Sequence, residues 1–361
     1  MIKQAEARGE APEDPMLLFS LLNSLWTASI VSFNGEEACG LAAEFLARAE
    51  RQKAAAPIVD GYRIVGTSLL MTGDIANGRA HFDRGIALHD SVDQAPSLTT
   101  SIGADAKIVM LGFRSIALWL LGNPKSALAD AEHALSRARE IAPVGTLMHT
   151  LSWTILIQIL CGDHVTASGL INELVTLADD KGTPFWRAWG MMSKGLLLAL
   201  TGKVLDAVHA STSGIAAWRS TGATMCLPYY SSCLATSYAE RGHFEDARCL
   251  IRKAIRTIEE TKERWFEAEI HRMAGEIELK SPNLGGEKPE VYFARALSIA
   301  RVQQAKSFEL RAAMSMARMW RDQGKRDDAR KLLAPVYGWF TEGFDTLDLK
   351  QAKALLDELA S

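Results

Sequence analysis

The sequence has little cysteine, no long apolar run and no marked excess of charge of either sign. It comprises 361 residues, and its five cysteines are scattered without a C-x-x-C spacing. A disulfide framework is therefore not expected, and a reduced, cytoplasmic protein is favoured. Lysine and arginine number 40 against 43 aspartates and glutamates, a net charge of −3. A protein with so little net charge is not expected to bind nucleic acid or an anionic membrane through its overall charge.

Targeting and membrane-spanning signals are lacking as well. Residues 1–15 contain no apolar core of a secretory signal and are predicted to form a flexible N-terminal tail. The longest stretch without a charged side chain, 141–162, is interrupted by Pro143, Gly145 and several polar residues. It is too polar and too broken to be predicted as a membrane-spanning helix.

Motifs that carry catalysis or hold cofactors are missing. The pairs Gly202-Lys203 and Gly324-Lys325 lack both the preceding glycine and the following serine or threonine of a phosphate-binding loop. No G-x-S-x-G, H-E-x-x-H, G-x-G-x-x-G or calcium-loop pattern occurs. We therefore predict no enzymatic activity, no catalytic residue, no cofactor and no metal ligand.

The feature that is present is a repeat. Small residues recur seven positions before and five positions after nearly every turn glycine, with apolar residues at i, i+3, i+4 and i+7 between them. Glycine allows the left-handed backbone that ends a helix, and small side chains let two helices pack closely. The glycines that define a step of 40 residues are Gly122, Gly162, Gly202 and Gly242.

This pattern is typical of tetratricopeptide repeats, with a step longer than usual. The sequence predicts an all-α, right-handed solenoid of about eight helical hairpins over residues 16–340. A final helix, 347–359, within a C-terminal segment 341–361, is predicted to cap the last apolar face. Because each unit of such a stack touches only its neighbours, gradual unfolding is expected.

A solenoid of this kind exposes a concave surface made mainly by the first helix of each hairpin. On the tetratricopeptide register, inward-facing positions lie about 13, 10, 6 and 3 residues before each turn glycine. Aromatic side chains there suit sugars or apolar peptide anchors, and arginines suit carboxylate or phosphate. The alternative is a solvated inner wall with ion pairs inside the helices. The nine candidate ligand-binding residues are His149, Trp189, Tyr229, Glu269, Arg272, Glu276, Arg311, Arg318 and Arg321.

Several segments resemble the C-terminal repeat region of large bacterial signalling proteins. Those proteins carry a class III adenylate/guanylate cyclase domain, an ATPase domain of the STAND type and then tetratricopeptide-like repeats. A looser similarity is to the repeat domain of maltose-regulon-type transcription activators, whose superhelix binds a sugar inducer. The segments are GTPFWRAWG (182–190), AAWRSTGA (216–223), RWFEAEIHRMAGEIEL (264–279), FARALSIARVQQAKSFELRAAMSMARMW (293–320) and LLAPVYGWFTEGFDTLDLKQAKALLDEL (332–359).

The resemblance implies the sensory or regulatory part of a cyclase/ATPase-type signalling system. The leading hypothesis is a non-catalytic binding or scaffold module that holds a peptide, a protein segment or a small effector in its groove. A cyclase or ATPase module is a further partner implied by the resemblance. Two alternatives stay open: a cyclase or ATPase fragment with residual activity, and a purely structural, self-associating remnant. The oligomeric state is not predicted.

Overall fold

The structure, a computed structural model, describes residues 15–91, 105–141, 143–282 and 287–360. These ranges contain seventeen α-helices and no β-strand. In chain order the helices are α1 Pro15–Val31, α2 Gly35–Gln52, α3 Ala55–Met71, α4 Ile75–Ser91, α5 Ala106–Leu120, α6 Pro124–Ile141, α7 Val144–Cys161, α8 His164–Asp180, α9 Pro184–Leu200, α10 Val204–Ser220, α11 Leu227–Glu240, α12 Phe244–Thr261, α13 Glu267–Lys280, α14 Pro289–Val302, α15 Lys306–Asp322, α16 Arg326–Tyr337 and α17 Leu347–Ala360.

Helices α1–α16 pair into eight hairpins, and α17 packs on the last of them. This confirms the predicted all-α, tetratricopeptide-like solenoid with a final helix. Helix α17 buries Leu349, Leu355 and Leu359 in the apolar core that it shares with the last hairpin. Residues 1–14 of the predicted tail lie outside the described part of the chain, and Pro15 begins α1. The division at residue 340 into an array and a capping segment stays a prediction.

The turn glycines behave as the sequence predicts, because each has a positive φ that other residues adopt at a cost. Gly35 is an exception, since it lies in the first turn of α2 and not in the loop before it. There Asn34 caps the helix by accepting a hydrogen bond from the N–H of Glu37. The glycines with φ between 78° and 89° at the ends of first helices are Gly122, Gly162, Gly202, Gly242 and Gly324.

The superhelix closes on itself. The carbonyl at the end of α1, Val31 O, accepts hydrogen bonds from the N–H groups of Thr224 and Met225, 2.9 and 3.1 Å away. One hairpin further on, Met71 O at the end of α3 accepts from the N–H of Arg264 at 2.9 Å. Carbonyls that a helix end leaves unpaired are thus satisfied by loops of the next superhelical turn. The expectation that each unit touches only its neighbours was wrong at these loops, although the described helices pack mainly on helices of the same or an adjacent hairpin.

Residues near the C-terminal end of the array also bond to helices much earlier in the chain. The Ser307 hydroxyl of α15 donates to the carbonyl of Trp119 at the end of α5. The N–H and hydroxyl of Ser126 both donate to the carboxylate of Glu342, at 2.9 and 3.0 Å. Side chains from the two superhelical turns also pack on one another, as Trp119 does on Phe308. Two partly open cavities of the described part of the chain lie on the inner side of the array, where the sequence predicts a concave groove.

Helix α7 is the centre of this packing. By length and composition alone it could cross a membrane, but 83% of its apolar window is buried among the other helices. One continuous apolar cluster, spanning 18–308, includes α7 and the helices around it. The apolar character of α7 is accounted for by its place in the core of the array.

Candidate functional site

The nine candidate residues fall into three groups. Six of them line one cavity of about 360 Å³, which we call the charged cavity. His149 and Trp189 line a second cavity of about 510 Å³, the aromatic cavity. Arg321 lines neither: it pairs with Glu358 and Asp322 near the end of α15. The six residues of the charged cavity are Tyr229, Glu269, Arg272, Glu276, Arg311 and Arg318.

The charged cavity is built from helical spacing. Glu269, Arg272 and Glu276 are three and seven positions apart on α13, so they share one face of that helix. Arg311 and Arg318 are one heptad apart on α15 and face them. Helix α11 supplies Tyr229, and the ends of α7 and α9 complete the wall.

Glu269 is the buried centre of the network. Its carboxylate accepts hydrogen bonds from Arg272 Nε and Nη2, at 2.8 and 2.9 Å, and from Arg311 Nη1 at 3.3 Å. Burial on its own would raise the pKa of Glu269, but the two guanidinium groups outweigh it and lower the pKa to about 2. Glu269 is therefore ionised at neutral pH and fully used by protein partners.

Arg311 joins four helices. Besides Glu269, its guanidinium donates to Asp348 of α17 at 2.7 Å and to the carbonyl of Leu160 of α7 at 3.2 Å. It also lies over the Trp119 ring of α5, 4.8 Å from the ring centroid. A side chain with so many protein contacts holds the superhelical turns together, and little of its hydrogen-bonding capacity remains for a ligand.

Arg318 is different. Its guanidinium makes one long hydrogen bond, 3.4 Å to Gln351, and in the described part of the chain no carboxylate lies within ion-pairing distance. Burial lowers its pKa, Glu276 opposes that shift, and Arg272 and Arg321 add to it. Arginine stays protonated in proteins, so Arg318 offers a cation with unused donors to the cavity.

Two further polar side chains shape this cavity. The Ser315 hydroxyl donates to Glu276 at 2.6 Å, and Arg272 Nη1 reaches both residues at 3.3 Å. His164 lines the cavity with a buried Nε2 that has no hydrogen-bond partner in the described structure. The Ser315 hydroxyl can rotate and the His164 imidazole can change its tautomer. Each of them can therefore either donate a hydrogen bond to a ligand or accept one from it.

Tyr229 contributes shape more than polarity. Its ring packs on Phe266 with centroids 4.2 Å apart, and the side chain is buried. Burial raises the pKa of its hydroxyl well above the usual range, so the group stays neutral. Tyr229 lines the charged cavity, and its ring is part of the cavity wall.

The aromatic cavity lies where α1, α3, α5, α7 and α9 meet. Trp26 and Arg63 belong to its lining and were not among the candidate residues. For Arg63 the signal was present, since it lies ten residues before Gly73, at one of the inward offsets. The aromatic lining consists of Trp26, Phe113, His149, Trp153, Phe185, Trp186 and Trp189.

In the described ranges no group of three or more His, Cys, Asp or Glu side chains is placed to hold a metal ion. Burial raises the pKa values of the Cys161 and Cys233 thiols to about 12, so neither forms a thiolate at neutral pH. The arrangement suits recognition of a ligand through charge and shape.

Comparison with known proteins places this geometry in context. No protein-family model matches the chain. It is 25% identical over 235 residues to the uncharacterized protein R02095 of Rhizobium meliloti (strain 1021). That match covers 64% of this chain and 22% of the relative, so the chain spans about a fifth of the length of that curated relative.

Solved structures resemble the whole array. A Rap protein complexed with Competence and Sporulation Factor is 13% identical, with a TM-score of 0.65 over 99% of this chain and 94% of that protein. The Rap conjugation gene regulator of plasmid pLS20, in complex with the Phr* peptide, is 10% identical, with a TM-score of 0.58 over 86% of this chain and 77% of that one. This chain has their helical-repeat fold.

A third solved structure, aspartyl phosphate phosphatase F from Bacillus subtilis, is 12% identical with a TM-score of 0.51. It covers 82% of this chain and 74% of the phosphatase. At such identities the likeness establishes the fold alone, because one fold hosts many functions.

Proposed function

We propose that the chain is a non-catalytic binding module that holds the carboxylate end of a peptide or protein segment in the charged cavity. The observation that carries the proposal is Arg318, a guanidinium inside a cavity with donors that no protein carboxylate uses. A volume of about 360 Å³ is at the small end of ligand pockets, which suits the end of a chain rather than a long segment. Capture of a terminal carboxylate is an established mode of peptide recognition.

The other charges of the cavity fit the same ligand. Glu276 lies beside Ser315 and Arg272 and is only partly buried. It can accept a hydrogen bond from a peptide N–H while Arg318 pairs with the carboxylate. Two solved proteins of this fold are in complex with Competence and Sporulation Factor and with the Phr* peptide, which supports a peptide as the ligand class.

Arg318 also gives the sharpest test. A library of synthetic hexapeptides, tethered at the N-terminus, is screened in two forms, with free and with amidated C-termini. Binders should come from the free-acid form, and Arg318→Ala should weaken them by about tenfold or more, as expected for a lost charge-assisted pair. Arg321→Ala is the matched control, since Arg321 is on the same helix but outside the cavity, and it should bind normally.

The opposite pattern would refute the site. Equal binding of amidated peptides, or full binding by Arg318→Ala, would show that the charged cavity does not hold a carboxylate. Arg272 and Arg311 are unsuitable for this test. Their removal leaves Glu269 a buried carboxylate with fewer partners, so lost binding could not be separated from a damaged fold.

The signalling context is a further part of the proposal. The resemblance of segments such as 264–279 and 332–359 to repeat regions of cyclase–ATPase proteins supports a role in regulating such a module, in the bacterial cytoplasm. Incubation of the purified chain with ATP or GTP and Mg²⁺ or Mn²⁺ tests the enzymatic alternative, and we expect no turnover.

A further inference from the structure

Two side chains that line the aromatic cavity each carry a buried ring nitrogen with no hydrogen-bond partner among the described residues. Trp189 is 1% exposed, and its indole Nε1 has no hydrogen-bond partner in the described structure. His149 is 8% exposed, and its Nδ1 also lacks a partner there. Both side chains line the cavity. Eight buried side-chain atoms of the described residues lack a hydrogen-bond partner, and these are the two whose side chains line the aromatic cavity. An unpaired buried donor costs free energy, which a ligand that accepts the hydrogen bond would recover.

The Trp189 indole differs from neighbouring buried indoles in its hydrogen bonding. Trp26 donates to Ser68 at 2.9 Å, Trp153 to His149 at 3.0 Å and Trp218 to the carbonyl of Met225 at 2.9 Å. These three buried indoles each have an acceptor within the fold. Buried indoles in this part of the array can therefore find acceptors within the fold. Trp189 differs from them because no described residue accepts a hydrogen bond from its Nε1.

The same hydrogen bonds fix the tautomer of His149. An indole N–H can only donate, so His149 Nε2 must be the acceptor for Trp153. Burial, assisted by the charge of Arg63, lowers the pKa of His149 to about 3, so the ring is neutral. A neutral ring that accepts at Nε2 carries its hydrogen on Nδ1, which makes the unpaired nitrogen a donor.

The surrounding charge favours an acceptor as well. Arg63 is buried and pairs with Asp60 at 3.0 Å and with the amide oxygen of Asn23 at 2.9 Å. Its charge contributes to the lowered pKa of His149, whereas no carboxylate does. A cationic occupant of the cavity would therefore be repelled by the Arg63 guanidinium, which lines the cavity, whereas an occupant that carries electron pairs would not.

We propose that the aromatic cavity binds a small aromatic molecule that presents a carboxylate or carbonyl oxygen to the N–H groups of Trp189 and His149. The rings of Trp153 and Phe113 form the apolar wall against which its aromatic body packs. This site is separate from the charged cavity, because no described residue lines both. Its existence does not depend on peptide binding.

Three probes with one ring and different polar ends test the proposal: phenylacetate, phenylacetamide and phenethylamine. The readout is the set of indole N–H resonances of ¹⁵N-labelled protein, assigned by single Trp→Phe variants. Phenylacetate and phenylacetamide at millimolar concentration should shift the Trp189 resonance, and phenethylamine should not. The Trp339 resonance is the internal control, since that indole is largely exposed and outside this cavity.

A variant measures the hydrogen bond itself. Trp189→Phe keeps an aromatic ring and removes the donor, so phenylacetate should bind about tenfold more weakly by calorimetry, and Trp339→Phe should bind like wild type. The proposal is overturned if none of the probes shifts the Trp189 resonance of the unaltered protein. It is equally overturned if the amine binds as well as the acid, or if folded Trp189→Phe protein binds phenylacetate with unchanged affinity.

Discussion

Two buried glutamates show how the surroundings of single residues decide their charge. Glu269 has two arginine partners, which lower its pKa to about 2. Glu263 is equally buried but has no ion-pair partner among the described residues, and it accepts hydrogen bonds from Cys226 N at 2.7 Å and Trp265 Nε1 at 3.0 Å. Burial outweighs these bonds and raises the pKa of Glu263 to about 7. Near neutral pH, Glu263 therefore titrates and Glu269 does not.

This difference predicts a pH-dependent contribution to stability. Because the folded pKa of Glu263 exceeds its unfolded value of about 4.3, its contribution is fully present below that value and is lost as the pH rises through 7. Glu263→Gln mimics the neutral acid and should remove that loss. Relative to wild type, we expect the variant to gain about 1–3 kcal/mol of unfolding free energy between pH 5 and pH 8. Urea denaturation of both proteins at both pH values measures this gain. If the unfolding free energies of variant and wild type differed by the same amount at pH 5 and pH 8, the raised pKa of Glu263 would be contradicted.

The residue types of the charged cavity could be predicted from the sequence, but their roles could not. Counting back from Gly324 places Arg311, Arg318 and Arg321 on the inner side of one helix. Only the structure shows that Arg311 reaches Asp348 and a carbonyl of α7, from parts of the chain far apart in sequence. Spacing along a helix shows which residues share a face of that helix. Their hydrogen-bond partners on other helices depend on how the superhelix coils.

Individual hairpins are held by close helix–helix approach, as the small residues of the repeat predict. A Cβ added to Gly195 of α9 would lie 2.7 Å from the backbone nitrogen of Ser211 on α10. Since backbone cannot move as a side chain does, the two helices would have to separate. The element-level pattern was predictable because it depends on residues only about 16 positions apart, on the two helices of one hairpin.

Gly195→Ala tests this packing. We expect a loss of about 1–3 kcal/mol of stability from overpacking, measured by chemical denaturation. Gly169→Ala is the control: it lies within α8, is exposed, and a Cβ there meets nothing within 4 Å. That change should stabilise the protein by up to about 1 kcal/mol, because alanine favours the helix. If both variants lost stability alike, close approach of α9 and α10 would not be the cause.

At the scale of the whole molecule, closure of the superhelix distinguishes this structure from the open stack expected from the repeat. Residues such as Thr224 and Arg264 bond to carbonyls of helices a full superhelical turn earlier. No local sequence pattern predicts these contacts, because they depend on the rotation that accumulates from one hairpin to the next. Closure leaves two partly open cavities on the inner side of the array. It also joins each of the first three hairpins to a loop or helix much later in the chain.

Amide hydrogen exchange at the closing loops tests this account most directly. Thr224 N and Arg264 N lie outside the helices, so in an open solenoid they would exchange as fast as other exposed loop amides. In the closed superhelix they donate to Val31 O and Met71 O. We predict exchange as slow as that of core helix amides such as those of α7. Rapid exchange at both positions in a folded protein would contradict closure, and with it the two cavities.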